Sequence, residues 1–462
     1  MSSKPAEINE KNDLTSGPIV TKILRFVLPM IVGNLVMQLY NVVDSIVVGK
    51  FVGSDAIAAV GVSFPIMMLF SALFMGLSMG SNIVVSQTFG AKDMDRLQKS
   101  VNTIFTLAFG IGIFVTIIGL FLSRPLLDLL GTPENIIDDS ATYLLIIFAG
   151  MLGNIFFNNG SGVLRGMGDS RWPLIALIVA SVTNIVLDLV FVIVFGWGVA
   201  GVAWATTISQ FLSGLIILWR INTGNYGVKI SLKGILSPDK AAAASIIKLG
   251  IPSAIQSMAM SLGSVVIQSY ANGFGSDLIA ANTIIMKIDG FAVMPMMALG
   301  MSSTTFVGQN IGAGNAERAK KGVYVLLGMI AAVGVVLGVI LLAFNKYFFY
   351  AFTDKEIVIE MGMRGISYIA FFYSFMGFDM AMSGAIRGAG VAAIPMVLAI
   401  VNMIIRIPLT YLLAVQANNY MGLFYAMSIT MVTGTALTFL YFHFGKWREK
   451  GIKISAQPIA GQ

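Results

Sequence analysis

Six charged side chains lie inside stretches of this chain that are otherwise apolar enough for a lipid bilayer. Four are acids and two are bases: Asp44, Asp188, Asp289, Asp379, Lys287 and Arg406. An ionised group at the middle of a membrane costs about 2.5–3.5 kcal/mol on insertion scales, so such groups are paired, protonated or in contact with water. Each of the six is therefore a candidate functional residue.

The first acid, Asp44, lies beside a stripe of polar side chains that includes Gln38 and Asn41. At 100° per residue this stripe covers about 60° of a helix surface, so that side of the helix must face protein or water. We interpret Asp44 as a carboxylate that lines a cavity and binds and releases a proton. Gln38, Asn41 and the neighbouring Tyr40 are candidates for the same cavity. The alternative is a structural carboxylate that caps a neighbouring helix.

Two later stretches repeat the combination of carboxylate, amide and hydroxyl. Asn184 and Asp188 are four residues apart and share one helical face, as do Thr206 and Gln210 on the following stretch. Such groups on adjacent helices coordinate a hard cation through oxygen, or form a hydrogen-bonded proton site. Gln210 is a further cavity candidate. For Thr206 an ordinary hydrogen bond between two helices is an equally good interpretation.

The charged residues of the second half have no partner nearby in the sequence. Lys287 and Asp289 are two residues apart, which turns their side chains about 160° away from each other on a helix. Asp379 and Arg406 are candidate partners, but spacing does not assign the pairs. We take all four as candidates for a substrate cavity, with a salt bridge that only holds helices together as the alternative.

The stretches that carry these residues make up most of the chain. Of the 462 residues, 57% are hydrophobic and 11% are charged, and the mean hydropathy is +0.86. A soluble domain has about a quarter charged residues, so this composition indicates an all-α membrane protein. Twelve stretches reach the roughly 20 residues that a transmembrane helix needs.

The chain repeats its own motifs 222 residues later. Gly-Ser-Asp at 53–55 returns at 275–277, and Gln-x-x-Gly-Ala at 87–91 returns at 309–313. Duplicated halves in so apolar a chain are typical of transporters whose two lobes rock about a central cavity. We therefore predict two six-helix bundles related by an internal repeat. The predicted parts are an N-terminal tail at 1–18, a first lobe at 19–220, a linker at 221–243, a second lobe at 244–445 and a C-terminal tail at 446–462.

Lysine and arginine collect on one side of the predicted helices. Of the 29 such residues, 22 lie on the side that holds both termini and five on the opposite side. This asymmetry predicts a multi-pass protein of the cell (inner) membrane with both termini in the cytoplasm. The basic residues form no contiguous stripe with interleaved aromatic residues, so the net charge of +7 does not indicate nucleic-acid binding.

The sequence provides little for catalysis. It has no cysteine and one histidine, so an enzyme would have few candidate nucleophiles or bases. A phosphate-binding GxxxxGK[ST] motif is absent, which excludes ATP-driven pumping by this chain alone, and no cofactor is expected. The repeated glycine-rich motifs at 162–168 and 384–390 lack dinucleotide spacing, and we interpret them as tight turns between helices.

Motifs spread over nearly the whole chain match one transporter family. They are Pro29, Tyr40-Asn41-x-x-Asp44, Gly53-x-x-x-Ile57-Ala58-Ala59, Gln87-x-x-Gly90-Ala91, Gly162-x-x-Arg165-Gly166-x-Gly168-Asp169, Asn184-x-x-Leu187-Asp188 and Gln309-Asn310-x-Gly312-Ala313. With them the chain resembles the multidrug and toxic compound extrusion (MATE) transporters, and their bacterial DinF-like branch in particular. The resemblance implies alternating access and export of organic, mainly cationic amphipathic compounds in exchange for H⁺ or Na⁺, and we expect a monomer. It also implies that Asp44, Asn184, Asp188 and Thr206 form the H⁺ or Na⁺ site.

The chain departs from the family pattern in its seventh helix. Some branches carry a glutamate there as part of a cation site in the second lobe, whereas the stretch 255–261 has no acid. Unless Asp289 or Asp379 substitutes, this favours coupling through the first lobe, with H⁺ ahead of Na⁺. The alternative function is a lipid-linked oligosaccharide or lipid flippase of the same superfamily. An anionic pyrophosphate calls for several arginines, however, and acids outnumber bases here by four to two.

Overall fold

The computed structural model describes residues 12–449, which fold into helices joined by short turns. Residues 1–11 of the predicted N-terminal tail and 450–462 of the predicted C-terminal tail lie outside the described residues. The first half contains α1 (Ile19–Val47), α2 (Ser54–Gly90), α3 (Met94–Leu129), α4 (Glu134–Ala149), α5 (Met151–Gly166), α6 (Arg171–Leu189) and α7 (Gly198–Thr223). After a short α8 (Leu232–Ile235), the second half contains α9 (Lys240–Asn272), α10 (Ser276–Gly312), α11 (Ala316–Tyr350), α12 (Glu356–Ile369), α13 (Tyr373–Gly388), α14 (Ala393–Thr410) and α15 (Met421–Phe444).

The helices of residues 12–449 confirm the predicted all-α membrane fold. Eleven helical spans are long and apolar enough to cross a bilayer, and the pair α4 and α5 makes a twelfth. This pair corresponds to one of the twelve predicted stretches, but its two helices are bent by 50° around Gly150. A Cβ at Gly150 would lie 2.1 Å from Cγ2 of Thr207, so the absence of a side chain lets α7 pack against this bend.

The 222-residue repeat is visible in the helix boundaries. Helices α2 and α10 each have 37 residues, and each follows a glycine with positive φ, 124° at Gly53 and 94° at Gly275. Glycine adopts these angles without the strain that a Cβ would cause. The repeated Gly-Ser-Asp motif is therefore the turn that starts the second helix of each half.

The prediction that the motifs at 162–168 and 384–390 are tight turns was wrong for most of their glycines. Gly162 lies inside α5 and Gly384 inside α13, and only Gly168 and Gly390 take positive φ, at 81° and 89°. A Cβ at Gly162 would lie 2.8 Å from the carbonyl oxygen of Ser78 on α2, and the second half repeats this close approach. These glycines allow two helix backbones to touch, as small residues do in membrane bundles.

The chain divides into two compact units. The first contains Leu28–Ala254, and the second contains Leu14–Val27 together with the chain from Ile255 onward. The predicted linker at 221–243 thus lies within the first unit. It is hydrogen-bonded to α3, where Oγ1 of Thr106 donates to the carbonyl oxygen of Ile235 at 2.5 Å. The start of α9 also packs in this unit, where a Cβ at Gly80 would lie 2.5 Å from the carbonyl oxygen of Ile246.

A buried tyrosine holds the linker to the start of α6. The hydroxyl of Tyr226 donates to Oδ2 of Asp169 at 2.6 Å and accepts from Nε of Arg220 at 3.0 Å. Asp169 also accepts from the backbone N–H of Arg171 at 3.0 Å, which satisfies a donor in the first turn of α6. Burial, together with the Asp169 carboxylate, raises the pKa of Tyr226.

The second unit includes the residues that lead into α1. The backbone N–H of Leu14 donates to Oε1 of Gln309 at 3.0 Å, and Leu14 is 2% exposed. The Nη2 of Arg318 donates to the carbonyl oxygens of Ser16 and Gly17 at 3.0 and 2.7 Å. The repeated Gln-x-x-Gly-Ala motif therefore anchors the chain just before the first long helix.

Candidate functional site

Four side chains from α1, α6 and α7 meet in the interior of the first unit: Asp44, Asn184, Asp188 and Thr206. Asp188 is fully buried and Asn184 is 1% exposed. With its amide nitrogen turned towards Asp188, Asn184 donates from Nδ2 to Oδ2 of Asp188 at 2.8 Å. Its Oδ1 then accepts from the backbone N–H of Thr206 at 3.1 Å. This orientation satisfies both ends of the amide.

The two carboxyl groups of the site face each other. Asp44 and Asp188 lie within hydrogen-bonding reach, although they come from helices far apart in the sequence. The Oδ1 atom of each is buried and has no hydrogen-bond partner among residues 12–449. Two ionised carboxylates at such short range repel each other, so a proton or another monovalent cation stabilises the pair.

Two tyrosines complete the surroundings of the carboxyl pair. Tyr40, one turn before Asp44 on α1, lies within hydrogen-bonding reach of the side chain of Thr206. Tyr143 on α4 is close enough to both Asp44 and Asp188 to interact with them electrostatically. The sequence pattern indicates Tyr40 as a cavity residue but gives no indication of Tyr143. No other polar side chain of the site lies on α4, so the spacing within α4 carried no signal for it.

A wider, π-helical turn of the backbone follows each of the two acids within a few residues. Helix α1 ends in a π-helical turn at Val48–Val52, and α6 ends in one at Val190–Val194. Such turns are rare and are frequent at functional sites. Val48 and Val192 lie within an apolar cluster with Val202, against which Tyr143 packs. Apolar side chains therefore cover the site on the side of the π turns.

Three other predicted cavity residues of the first half lie on α1 and α7, the helices that carry Asp44 and Thr206. Gln38 and Gln210 are half-buried and Asn41 is exposed. Within residues 12–449 none of these three amides forms a side-chain hydrogen bond, so their donors and acceptors are available to a ligand. They differ in this respect from Asn184, whose amide is engaged at both ends.

The charged candidates of the second half do not gather into one site. Asp289 accepts a hydrogen bond from the hydroxyl of Tyr373, which is fully buried. Lys287 is exposed, with its ammonium group 5.1 Å from the ring centre of Phe352. Lys287 and Asp289 therefore point in different directions, as their spacing of two residues predicts.

Asp379 has its own set of partners. It accepts from Oγ1 of Thr438 at 2.5 Å, and Arg387 lies two turns further along α13, near enough to attract it. The Nη1 of Arg387 donates to Oε1 of Gln256 at 2.8 Å. No ion pair joins Asp379 to Arg406 within the described part of the chain. The sequence pattern does not indicate Thr438 or Gln256, because neither lies at an informative spacing from a charge on its own helix.

The first-unit site is suited to holding one small cation. It offers two carboxylates, two phenols and a hydroxyl, and no lysine or arginine of residues 12–449 forms an ion pair with Asp44 or Asp188. The same residues contain no cluster of three or more acids or histidines that could hold a multivalent metal ion. Binding a proton or a monovalent cation is the chemistry that these groups support.

Known proteins resemble this chain along most of its length. The family model described as MatE matches residues 29–190 and 252–412. A probable multidrug resistance protein of Bacillus subtilis, YpnP, is 31% identical over 440 residues, covering 94% of this chain and 97% of that protein. A probable multidrug resistance protein of Thermotoga maritima, NorM, is 26% identical over 444 residues, covering 93% and 94%.

Solved structures share the fold. The outward-facing conformation of a multidrug resistance MATE family transporter of the MOP superfamily superposes with a TM-score of 0.88. It is 24% identical, and the match covers 95% of this chain and 98% of that one. At this level of identity the likeness concerns the fold alone.

Proposed function

Since the chain belongs to the MatE family, we propose that it is a secondary active multidrug transporter that exports organic cations in exchange for H⁺. The proposal places it in the cell membrane with both termini in the cytoplasm, as the distribution of lysine and arginine predicts. It acts as a monomer and needs no cofactor. Its family relatives YpnP and NorM carry names that describe multidrug resistance.

The observation that carries the proposal is the carboxyl pair of Asp44 and Asp188. It lies inside a membrane-spanning unit, without an ion pair to a base in the described residues and with an unpartnered buried oxygen on each side chain. Such a pair is too costly to keep doubly ionised, so it holds a cation for much of the transport cycle. A structural pair would instead be neutralised by a fixed lysine or arginine.

Exchange follows from competition for this negative charge. In the outward-open state a proton binds the pair and displaces a cationic compound, which leaves to the outside. The neutralised unit then reopens inward, loses its proton and binds the next cationic compound. Proton and drug weaken each other's binding by the same factor, because linkage between two ligands is reciprocal.

The geometry of Asn184 favours H⁺ over Na⁺ as the coupling ion. Na⁺ is a hard cation that needs several oxygen ligands. In the orientation that satisfies its amide, Asn184 presents its nitrogen to Asp188, and its oxygen already accepts from the backbone of Thr206. This leaves chiefly the two carboxylates, which suffice for a proton that is shared between them or held on one.

The test is drug-driven ion release from proteoliposomes that contain the purified transporter. Ethidium is added while pH and sodium concentration are varied independently. The proposal predicts proton release that depends on ethidium, persists without sodium and is lost in Asp44→Asn. Asp139→Asn is the matched control, since Asp139 is an exposed acid of the same unit.

Two results would contradict the proposal. Ethidium-driven proton release that is unchanged in Asp44→Asn would remove the carboxyl pair from the mechanism. A strict requirement for sodium in the wild type would replace H⁺ by Na⁺ as the coupling ion, and the orientation assigned to Asn184 would then have to be reversed.

A further inference from the structure

The repeat places a guanidinium at the second half's counterpart of the carboxyl site. A shift of 222 residues takes Asn184 on α6 to Arg406 on α14, and Thr206 on α7 to Ser428 on α15. Asn184 and Thr206 are neighbours in the first unit. Either Nδ2 or Oδ1 of Asn184 faces Thr206, depending on the orientation of the amide. The equivalent positions of the second unit therefore pair a base with a hydroxyl.

Neither acid of the first site has a counterpart. The same shift takes Asp44 to Val266 and Asp188 to Thr410. The hydroxyl of Thr410 is already engaged, because its Oγ1 donates to the carbonyl oxygen of Arg406 at 2.7 Å. The position that carries two carboxylates in the first unit thus carries one permanent positive charge in the second.

Helix packing places Arg406 and Ser428 towards the same end of α14 and α15. Helices α14 and α15 are consecutive and antiparallel, and Nδ2 of Asn402 on α14 donates to the carbonyl oxygen of Thr430 on α15 at 2.9 Å. Arg406 lies one turn beyond Asn402, and Ser428 lies two residues before Thr430. Since the helices run in opposite directions, both steps lead towards the same end of the pair, by about 6 Å along α14 and about 3 Å along α15.

Both polar groups are buried without a partner. Nε of Arg406 and Oγ of Ser428 are inaccessible to solvent, and neither has a hydrogen-bond partner among residues 12–449. The ion pairs formed by these residues do not include Arg406. A buried donor without an acceptor is costly, and for a charged group the cost is larger. An anionic acceptor from outside the chain would relieve both donors at once.

We propose that Arg406 and Ser428 bind the carboxylate of an exported compound, so that the second unit recognises zwitterions and organic acids. The inference rests on the export function proposed above and extends its substrates beyond simple cations. The fork of a guanidinium matches a carboxylate in two parallel hydrogen bonds, and the hydroxyl of Ser428 supplies a third donor. A single arginine balances one negative charge, which fits a carboxylate better than a pyrophosphate.

The test compares two ligands that differ only in the carboxylate. Norfloxacin carries an amine and a carboxylate, and its ethyl ester keeps the amine but has no negative charge. Binding of each is measured by equilibrium dialysis with the purified full chain in detergent. We expect Arg406→Gln to weaken norfloxacin binding by at least about tenfold and to leave the ester within about twofold. Arg406→Lys keeps the charge but loses the fork, so it should fall between the two.

Arg364→Gln is the matched control, because Arg364 is an exposed arginine of the same unit. It should change the binding of neither ligand. Ester binding reports correct folding of every variant. Equal losses for norfloxacin and ester, or no loss for either, would overturn the inference.

Ethidium export by everted vesicles separates this inference from the proposed function. Normal ethidium export by a protein that does not discriminate norfloxacin from its ester refutes the carboxylate site alone. Discrimination without any ethidium export refutes the proposed export function and leaves the carboxylate site standing.

Discussion

Replacing Asp188 by asparagine removes one negative charge from the carboxyl pair while keeping its shape. Asp188 is fully buried and accepts from Nδ2 of Asn184 at 2.8 Å, a bond that the oxygen of an asparagine can also accept. The variant should therefore fold, with Asp44 remaining as the single acid. We expect it to bind ethidium more weakly and to lose drug-driven proton release.

The size of the binding effect follows from Coulomb's law. A cation about 8 Å from a carboxylate gains about 2 kcal/mol at an effective dielectric constant of about 20. At about 4 Å the gain is about 4 kcal/mol. Ethidium spreads its charge over a large ring system, so the longer distance applies, and its affinity should fall about thirtyfold.

The pH dependence of ethidium binding gives the decisive readout. In the wild type, affinity should rise with pH, because protons and drug compete for the pair. In Asp188→Asn this dependence should flatten, since one remaining carboxylate no longer needs a proton to relieve repulsion from a second. Binding is followed by ethidium fluorescence from pH 5 to 9, with Asp139→Asn as the exposed control. An unchanged slope in Asp188→Asn would refute the assignment of the pair as the proton site.

Three further substitutions test the packing of the first unit. Gly80→Ala would place a Cβ 2.5 Å from the carbonyl oxygen of Ile246. The free energy of unfolding should therefore fall by about 1–3 kcal/mol, which is measured as a lower melting temperature. Gly61→Ala, with no atom within 4 Å of its Cβ, should leave that temperature unchanged or raise it. Tyr226→Phe removes the 2.6 Å hydrogen bond to Asp169 and should cost about 1.5–3 kcal/mol. Because the pKa of Tyr226 is raised, this stabilisation is fully present below the ordinary phenol pKa of about 10 and declines above it. Thermal melts of wild type and variant should therefore converge as pH rises beyond 10, and a constant difference would contradict the assignment.

Much of the fold could be predicted because two strong signals agree. Apolar length fixes which segments span the membrane, and the 222-residue repeat fixes where equivalent helices start. Asn184 and Asp188 could be found because they share a face of one helix. Their association with Asp44 came from the family resemblance, since no spacing along the chain relates α1 to α6.

The rest depends on contacts between helices, which periodicity does not encode. No other side chain of the site lies on the helix of Tyr143, so only its position near both acids makes Tyr143 part of the site. Gly162 resembles a turn residue in sequence, yet it lies inside a helix where the backbone of Ser78 leaves no room for a side chain. Whether a glycine serves a turn or a close contact is decided by its neighbours in space.

The anchoring of Leu14 by Gln309 affects how the protein is made. The two residues are separated by 295 positions. At typical translation rates of about 5–20 residues per second, the backbone N–H of Leu14 waits about 15–60 s for its acceptor to be synthesised. During that interval water, lipid or a chaperone must accept the hydrogen bond from the backbone N–H of Leu14. A nascent chain released before Gln309 is synthesised would lack the hydrogen bond that anchors Leu14.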